Sequence, residues 1–426
     1  MLDVMRLLSL ALLASLTGSI RADVLTVDDD GGADYTDLQA AIDGAHAGDV
    51  LHVADGEYGA FTLDKRLSIL GRSGVNDVHV AGISRVTGVV SARLAGLTLD
   101  ALEIEQTSRA VVQDCEVGYV GPAFPPGPSV KAALVIRDCG DVLIADSTLQ
   151  GLRGCCGDSP WPTGIAFGAG SAGLRVESSD VSVVDCDVNG GPGYTGCDWN
   201  TGGTGIEVRG GVTTVAGSTV QGGPGGTFEC LSTGSGDPGG DAVWVLDGIA
   251  VLRGGGTADQ ADYASGGLAG LGAEAGLGVR ADGSSLVVHS GTSVSSLGAF
   301  GAAQITSPAK VEPFLELSGD LASHGIFEVH AHAPVGEPLF LFFAFGLAPS
   351  TVGGVDGTVW LSGSTVFAPL TGQGQASPVV LPLALPPTLT AFVGLELGMQ
   401  LVAPATPGSL DPGAAFLSNA APLLAR

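Results

Sequence analysis

ALVIRDCGDVLIADSTL, at residues 133–149, is one of six closely similar lines that lie between residues 101 and 294. Each line opens with a small residue, and an aliphatic residue follows it, at Leu102, Leu134, Leu174, Ile206, Val243 and Val279. The spacings between these positions are 32, 40, 32, 37 and 36 residues. A shared core with unequal spacing predicts one structural unit that repeats while its loops vary in length, which is typical of a solenoid.

Within each line, apolar residues alternate with polar ones. In residues 133–149 the alternating set is Leu134, Ile136, Val142, Ile144 and Leu149. A period of two is the period of a β-strand, and it places these side chains on one face. No helical pattern of about 10–15 residues separates the lines, so βαβ units are not indicated. We therefore predict a coiled chain in which each short strand pairs in parallel with its copy in the next coil.

One internal corner of the predicted coil carries small polar or thiol residues: Cys115, Ser147, Cys186 and Ser218. We interpret this set as a ladder packed in the core rather than as chemistry. Asp114, Asp146 and Asp185 each precede the corner by one residue. They could form a ladder of metal ligands, or they could bond their own backbone, which is the commoner role of Asp in turns. We favour the second interpretation.

The chain opens with MLDVMRLLSLALLASL, in which Arg6 precedes an apolar run from Leu7 to Leu16. The run is too short to span a bilayer and is typical of a secretory signal peptide, which we place at residues 1–22. No later stretch reads as a membrane span. We therefore predict a protein outside the cytoplasm, either secreted or at the cell surface.

Charge is strongly unbalanced, with 44 acidic residues against 17 basic ones and a formal net charge of −27. A nucleic-acid partner requires a basic face, and none is visible, so we expect no nucleic-acid binding. The acidity also disfavours unaided capture of a polyanionic sugar, although calcium could bridge like charges. The sequence thus leaves open whether calcium is a cofactor. It also leaves the oligomeric state open.

The seven cysteines fall into two groups. Three lie within the repeated lines: Cys115, Cys139 and Cys186. Of these, Cys115 and Cys186 occupy the same corner two coils apart, a separation of ~9.6 Å from the strand spacing, which is too far for a disulfide. The other four cysteines lie in the long loops between lines: Cys155, Cys156, Cys197 and Cys230. Stacked loops would bring these four together, and export permits disulfides. We predict two bridges that join the adjacent pair to the other two, in either pairing.

Ahead of the lines, residues 23–71 carry a different pattern. Thr36 and Gln39 have the spacing of a capping box, which predicts a short helix over residues 36–45. Three apolar residues of that helix share one face: Leu38, Ala41 and Ile42. A short amphipathic helix suits this position because it covers the unpaired sheet edge at the open end of a coil.

The run YTDLQAAIDGAHAGDVLHVADGEYGAFTLDKRLSILG, at residues 35–71, resembles the opening of right-handed parallel β-helix proteins of the pectin-lyase-like superfamily, which includes pectin methylesterases and periplasmic NosD-type proteins. The matching residues are Tyr35–Thr36, Gln39, Ala41–Ile42, Gly48–Asp49, Val53, Gly56, Tyr58 and Ile69–Leu70–Gly71. The lines from residue 101 also resemble NosD-type repeats, so the likeness extends over residues 24–305. It implies a fold and a noncatalytic N-terminal cap. The Asp-Phe-Ile-Phe-Gly strand of the pectin methylesterases is absent, so that activity is not implied.

After Pro308 prolines become frequent and the alternating runs lengthen, which predicts an antiparallel β-sandwich of about 115 residues. The ending GAAFLSNAAPLL resembles the close of a C-terminal β-module that is common on secreted bacterial repeat proteins. The predicted fold class is therefore all-β. It is a right-handed parallel β-helix solenoid at residues 23–307 with a short N-terminal capping helix, followed by a C-terminal antiparallel β-sandwich at residues 308–426.

The strongest candidate for a binding site is the set of loops that follow the second, third and fourth lines. Their aromatic residues stand beside the loop cysteines: Trp161, Tyr194, Trp199 and Phe228. Flat rings with polar neighbours are what a sugar-binding surface requires. Alternatively, the rings form a small separate core over the disulfides, since loops of this length need something to bury.

Three loop carboxylates, Asp158, Asp198 and Glu229, are candidates for catalysis. Two carboxylates held ~5–9 Å apart can hydrolyse a glycosidic bond. The sequence gives no distances, so it leaves open whether the protein is an enzyme. If it is one, a polysaccharide lyase or a glycoside hydrolase is the expected class.

Glu328, His330 and His332 alternate along one predicted strand and would share a face, as a two-histidine, one-carboxylate metal set requires. Phe327, Val329 and Ala331 take the opposite face, so the polar trio is equally explained as the solvated side of a strand. We favour the interpretation of the trio as the solvated side of a strand.

Two hypotheses of function follow from these patterns. In the first, the protein binds, and in addition could process, extracellular polysaccharide or a cell-surface glycan through the loops of coils two to four. In the second, it is a noncatalytic cell-surface or matrix scaffold, in which the rod is itself the function.

Overall fold

The computed structural model describes residues 23–72, 77–118, 132–154, 169–193, 201–226, 237–253, 263–268, 274–290 and 293–306, and beyond them the backbone of ten further strands. The predicted signal peptide, residues 1–22, lies outside the described residues, and its cleavage stays a prediction.

The described strands between residues 24 and 306 form one parallel sheet of 25 strands that coils on itself. Its strands are β1 Val24–Val27, β2 Val50–Val53, β3 Gly56–Gly59, β4 Thr62–Leu63, β5 Ser68–Gly71, β6 Val78–Thr87, β7 Ala92–Ala95, β8 Thr98–Glu105, β9 Arg109–Gln113, β10 Glu116–Val117, β11 Ala132–Arg137, β12 Asp141–Ala145, β13 Thr148–Gln150, β14 Ala172–Val184, β15 Asp187–Asn189, β16 Ile206–Ala216, β17 Thr219–Gln221, β18 Val243–Leu246, β19 Ile249–Arg253, β20 Tyr263–Ser265, β21 Val279–Asp282, β22 Leu286–Ser290, β23 Ser293–Val294, β24 Leu297–Ala299 and β25 Gln304–Thr306.

The repeated lines pair with one another in the register that the sequence predicts. Leu134 pairs with Leu102 on one side and with Leu174 on the other. The same column continues through Ile206, Val243 and Val279. The prediction of a parallel β-helix solenoid is therefore confirmed. Its right-handed winding stays a prediction, in line with the strong preference of parallel crossovers for that hand.

Each coil has three faces, which follow one another along the chain. In the coil of residues 132–150, β11 lies on the first face, β12 on the second and β13 on the third. The long strands β14 and β16 turn from the first face into the second. The core lies inside the coil, where the five alternating residues of this line have no solvent-exposed area: Leu134, Ile136, Val142, Ile144 and Leu149.

The corner between the second and third faces is the predicted internal ladder. Cys115, Ser147, Cys186 and Ser218 are between 1% and 4% exposed. The Ser147 hydroxyl accepts the Cys115 backbone N–H at 3.1 Å and donates to the Ala145 carbonyl at 2.7 Å. Cys115 and Cys186 are free and buried, and burial raises the pKa of the Cys115 thiol to about 12. The ladder is thus a structural feature, because a buried neutral thiol is a poor nucleophile.

The corner aspartates have a conformational role. Asp114, Asp146 and Asp185 have φ angles of 53°, 49° and 52°, in the left-handed region that Asp tolerates better than most residues. The Asp146 carboxylate accepts from Gln113 Nε2 at 3.4 Å. The expectation that the Asp146 carboxylate bonds its own backbone is therefore wrong, because its partner is the Gln113 side chain of the preceding coil.

The capping helix α1 spans Leu38–Gly44 and buries Leu38, Ala41 and Ile42, as predicted. Its N-cap is Asp37, whose carboxylate accepts the Ala40 N–H at 2.8 Å. The predicted Thr36–Gln39 capping box is wrong. Gln39 instead accepts the Thr62 N–H at 2.7 Å through Oε1, which ties the helix to the first coil.

Beyond residue 306 the strands are mostly antiparallel, as predicted. They are β26 Phe314–Ser318, β27 Ile326–His332, β28 Phe340–Phe345, β29 Leu347–Ser350, β30 Val355–Asp356, β31 Val359–Leu361, β32 Val366–Ala368, β33 Val379–Ala384, β34 Glu396–Pro404 and β35 Ala415–Leu424. They form sheets of three, five and two strands. The pairing of β30 with β35 is parallel, which departs from a wholly antiparallel module. Packing of these sheets as a sandwich, and the boundary at residues 307 and 308, stay predictions.

Candidate functional site

The predicted loop residues lie outside the described residues. They fall in the ranges 155–168, 194–200 and 227–236 and include every predicted aromatic, carboxylate and disulfide position. The segments that lead into and out of these loops are described, and they set the geometry of the candidate site.

A two-layered ribbon of extended chain projects from the corner between the third and first faces. Its outgoing segments follow third-face strands, and its incoming segments precede first-face strands. The outgoing segments are residues 151–154, 190–193, 222–226 and 266–268, and the incoming segments are residues 169–171, 201–204, 237–241 and 274–277. None of them is helix or strand. We call the eight segments together the glycine ribbon.

Backbone hydrogen bonds join the two layers of the glycine ribbon. The Gly203 N–H donates to the Gly191 carbonyl at 2.7 Å, and the Gly223 N–H donates to the Gly203 carbonyl at 2.7 Å. The series continues from Gly240 to Gly223 and from Gly267 to Gly240, both at 2.8 Å. Outgoing and incoming segments therefore alternate along a continuous chain of bonds.

A second set of bonds runs along the outgoing layer with a period of three residues. Gly190 and Gly193 donate to Gln221 and Pro224 of the next coil, both at 2.8 Å. The same spacing separates Gly151 from Gly154, and Gly222 from Gly225, and all four donate to the next coil. A repeat of three residues is that of the polyproline II helix, which has no internal hydrogen bonds and leaves every N–H for its neighbours.

Glycine is required where the two layers touch. A Cβ atom on Gly223 would lie 2.0 Å from the Gly191 carbonyl oxygen, and one on Gly202 would lie 1.8 Å from the Gly223 carbonyl oxygen. The opposing atoms are backbone and cannot rotate away. The ribbon is therefore a backbone-to-backbone contact that no other residue type can form.

The ribbon fixes where the loops begin. Gly154 precedes one loop and bonds Pro192 of the next outgoing segment at 2.9 Å, and Gly193 precedes the second loop. Consecutive loops thus leave the ribbon about one strand spacing apart, ~4.8 Å. Three long loops of different length start from one row of fixed positions.

The third face borders the ribbon and presents two columns of polar side chains. One column is Thr148, Asp187 and Thr219, and the other is Gln150, Asn189 and Gln221. Asp187 is exposed and the other five are half-buried. The Thr219 hydroxyl donates to Asp187, and Gln150 Nε2 donates to the Gly151 carbonyl at 3.2 Å. We call these six residues the polar columns.

The first face, on the other side of the ribbon, carries a ladder of paired charges. Arg137 contacts Glu105 on one side and Glu177 on the other, the latter at 2.7 Å. Arg175 lies 2.6 Å from Glu177 and 3.6 Å from Glu207. Burial raises the pKa of Glu177, but the hydrogen bond from Arg137 and the charge of Arg175 lower it by more, so its pKa lies below its ordinary value. These charges neutralise one another.

Trp244 extends this ladder rather than presenting a free aromatic surface. Its ring lies between the guanidinium groups of Arg209 and Arg280, at 5.6 Å and 5.4 Å from the ring centroid. Its Nε1 donates to Asp282 at 2.7 Å. Two guanidinium groups already lie over the ring, so stacking of a sugar on Trp244 would compete with these cation–π contacts.

A histidine between two carboxylates lies at the N-terminal end of the third face. His79 Nδ1 lies 2.6 Å from Glu57 Oε2, and its Nε2 lies 2.9 Å from Asp100 Oδ1. A neutral imidazole can donate from one nitrogen alone, so two acceptors select the protonated ring. Burial lowers the pKa of His79, but its hydrogen bonds to Asp100 and Glu57 raise it by more, and the resulting pKa lies above 6.5.

Replacing His79 with glutamine should therefore destabilise the protein in a pH-dependent way. Folding raises the pKa of His79, so the protonated ring stabilises the folded protein. This stabilisation is complete below the unfolded pKa, about 6.5 for His, and it is lost as the pH rises through the folded pKa. Melting temperatures of the two proteins between pH 5 and pH 9 provide the measurement. The difference in melting temperature between wild type and variant should be largest at pH 5 and absent at pH 9. A difference that grows with pH would contradict this account.

Of the two candidate metal sets, the corner aspartates alone lie among the residues whose side chains the structure describes. Among the residues that the structure describes, no group of three or more His, Cys, Asp or Glu side chains could hold a metal ion. Glu328, His330 and His332 lie on β27, the middle strand of a three-stranded sheet, where His330 pairs with Glu316 and with Val380. Their side chains are outside the described part of the chain, so the favoured solvated strand face and the alternative metal set both stay predictions.

The sequence interpretation missed the glycine ribbon. Its signal is present in the sequence, as glycines three residues apart directly after each third-face strand: Gly151 and Gly154, Gly190 and Gly193, Gly222 and Gly225.

No protein-family model matches the chain, and no curated protein matches it. Among solved structures, the chain is similar to the enzymatically active domain of tailspike protein 2 from bacteriophage CBA120, with 11% identity and a TM-score of 0.27. That likeness covers 93% of this chain and 71% of the tailspike chain. In the described part of the chain, no helix is long and apolar enough to cross a membrane.

Proposed function

We propose that this protein works outside the cytoplasm and binds polysaccharide through the loops that the glycine ribbon carries. The observation that supports this function is the row of loop bases on the ribbon, about one strand spacing apart. The strand spacing is close to the length of one sugar residue in an extended polymer. Loops that start at this spacing could therefore contact successive sugars of one chain.

The composition of the loops supports the same proposal. Trp161, Tyr194, Trp199 and Phe228 provide rings that can stack on sugar rings. The two predicted disulfides among Cys155, Cys156, Cys197 and Cys230 would hold the loops in one arrangement, which reduces the entropy that binding costs. Calcium stays a proposed cofactor for any acidic polymer.

The experiment is a glycan array with the purified protein, with and without calcium. Trp199→Ala should weaken binding to any hit at least tenfold, because the ring is the proposed stacking surface. Phe300→Ala is the matched control: Phe300 is an aromatic residue, 50% exposed, outside these loops. The proposal fails if no glycan binds, or if both variants bind as the wild type does.

Processing of the bound polymer is a further part of this proposal, carried by Asp158, Asp198 and Glu229. Reducing-end release from array hits should fall with Asp198→Asn or Glu229→Gln while binding is retained. If both variants release sugar as the wild type does, the carboxylates are not catalytic.

A noncatalytic surface or matrix scaffold is the second candidate function. The ladder of paired charges on the first face favours it, because those groups stabilise one coil against the next without an added ligand. An array that stays empty, together with a rod that assembles or adheres to cells, would select the scaffold.

A further inference from the structure

We infer that the polar columns of the third face are a binding surface for an uncharged polysaccharide that lies along the rod axis. This inference rests on the proposed function and names both a second part of its site and the class of its ligand.

The three faces differ in what they offer a ligand. On the first face the charged groups are paired with one another, as in the contacts of Arg175. On the second face outward-pointing residues such as Leu143 and Val184 are 1% and 3% exposed. The polar columns of the third face have neither feature, since they hold hydroxyl and amide groups together with one carboxylate.

Hydroxyl and amide groups match the chemistry of a neutral sugar. Each can donate and accept hydrogen bonds, as a sugar hydroxyl does. None of the six residues is cationic, and Asp187 adds a negative charge to a chain whose formal net charge is −27. A polyanion would therefore be repelled, while an uncharged polymer would not.

The geometry of the columns fits a linear polymer. Gln150 pairs with Asn189, and Asn189 pairs with Gln221, so the amides rise by one strand spacing per coil. The two columns are separated by two residues along each strand, roughly 6.8 Å. In each of these three coils, a polymer along the axis would meet one amide together with one hydroxyl or carboxylate, at intervals close to one sugar residue.

The columns also continue directly into the ribbon. Gln150, Asn189 and Gln221 are each followed by a ribbon glycine, at Gly151, Gly190 and Gly222. A sugar chain on the columns would therefore lie beside the start of the loops. One ligand could occupy both surfaces.

The test is a double variant, Asn189→Ala with Gln221→Ala, titrated with galactomannan and laminarin as uncharged probes and with polygalacturonate and alginate as acidic ones. The control is Ser182→Ala with Thr214→Ala, two half-buried polar residues that pair on the second face. The column variant should bind the uncharged probe at least tenfold more weakly than wild type. The control should bind it as wild type does.

A second variant distinguishes loss of binding from loss of folding. Gln221→Glu keeps the side-chain volume, removes the amide donors and adds a charge, and it should weaken binding as well. The inference is overturned if both column variants bind as wild type does, or if the acidic probes bind the wild type more tightly than the uncharged ones.

Failure of this inference can be told apart from failure of the proposed function. If wild type binds a glycan and Trp199→Ala abolishes binding while the column variants do not, the loops alone form the site. If wild type binds none of the probes and no glycan on the array, the proposed function itself fails.

Discussion

Replacing Gly223 with valine is expected to separate the two layers of the glycine ribbon and to abolish polysaccharide binding. A Cβ atom at this position would lie 2.0 Å from the Gly191 carbonyl oxygen and 2.8 Å from the Gly190 carbonyl oxygen. Overpacking against side chains costs about 1–3 kcal/mol. Here the obstacle is backbone, and separation also breaks the bonds of Gly223 to Gly203 and Gly240. We expect a loss of at least 3 kcal/mol in ribbon stability, at the top of that range.

Urea unfolding and limited proteolysis provide the measurement. Gly59→Ala is the matched control, because no atom lies within 4 Å of the added Cβ and Gly59 is itself exposed at the end of β3. The valine variant should be cleaved readily near the ribbon, and the alanine control should resist as the wild type does. Equal stability and equal cleavage in all three proteins would contradict a ribbon of touching backbones.

Replacing Arg175 with methionine should give the second large effect, a loss of about 3 kcal/mol in unfolding free energy. Arg175 is 12% exposed and lies between Glu177 and Glu207, whose side chains are 21% and 8% exposed. Breaking a buried ion pair costs about 3–5 kcal/mol because it leaves a buried charge uncompensated. We expect a loss at the lower end of this range, because Arg137 and Arg209 still contact these carboxylates.

Arg85→Met provides the control on the same face. Arg85 is 49% exposed and pairs with Glu103 at 2.8 Å, so its removal should cost about 0–1 kcal/mol, as exposed pairs do. The cost of Arg175→Met should also fall at low pH, where protonated carboxyls no longer repel each other. Equal costs for the two variants would show that burial of the ladder does not matter.

The sequence predicts the coil well because its signal is local and repeated. Leu102, Leu134 and Leu174 occupy matching positions in their lines, and a side-chain period of two leaves one register that buries them all. The ladder of Cys115 and Ser147 follows from the same alignment. The sequence predicts the start of helix α1 to within two residues. It does not identify the N-cap, because Thr36 and Asp37 are both good N-cap residues.

The candidate site was harder to predict because its contacts are made by backbone atoms. Gly203 and Gly223 are 20 residues apart in sequence and meet through an N–H and a carbonyl, which carry no side-chain signature. His79 contacts Asp100, which lies opposite a register shift between Val80 and Ile83 of β6, and periodicity does not encode such a shift. The pairing of strands across coils can be inferred from the sequence pattern. The contacts of the irregular segments between strands cannot.

The most direct test is a titration of an uncharged array hit into three purified proteins: wild type, Gly59→Ala and Gly223→Val. Wild type and Gly59→Ala should bind saturably and with equal affinity, and Gly223→Val should show no binding at the concentrations that saturate the others. Binding by Gly223→Val with wild-type affinity would contradict a polysaccharide site that depends on the glycine ribbon.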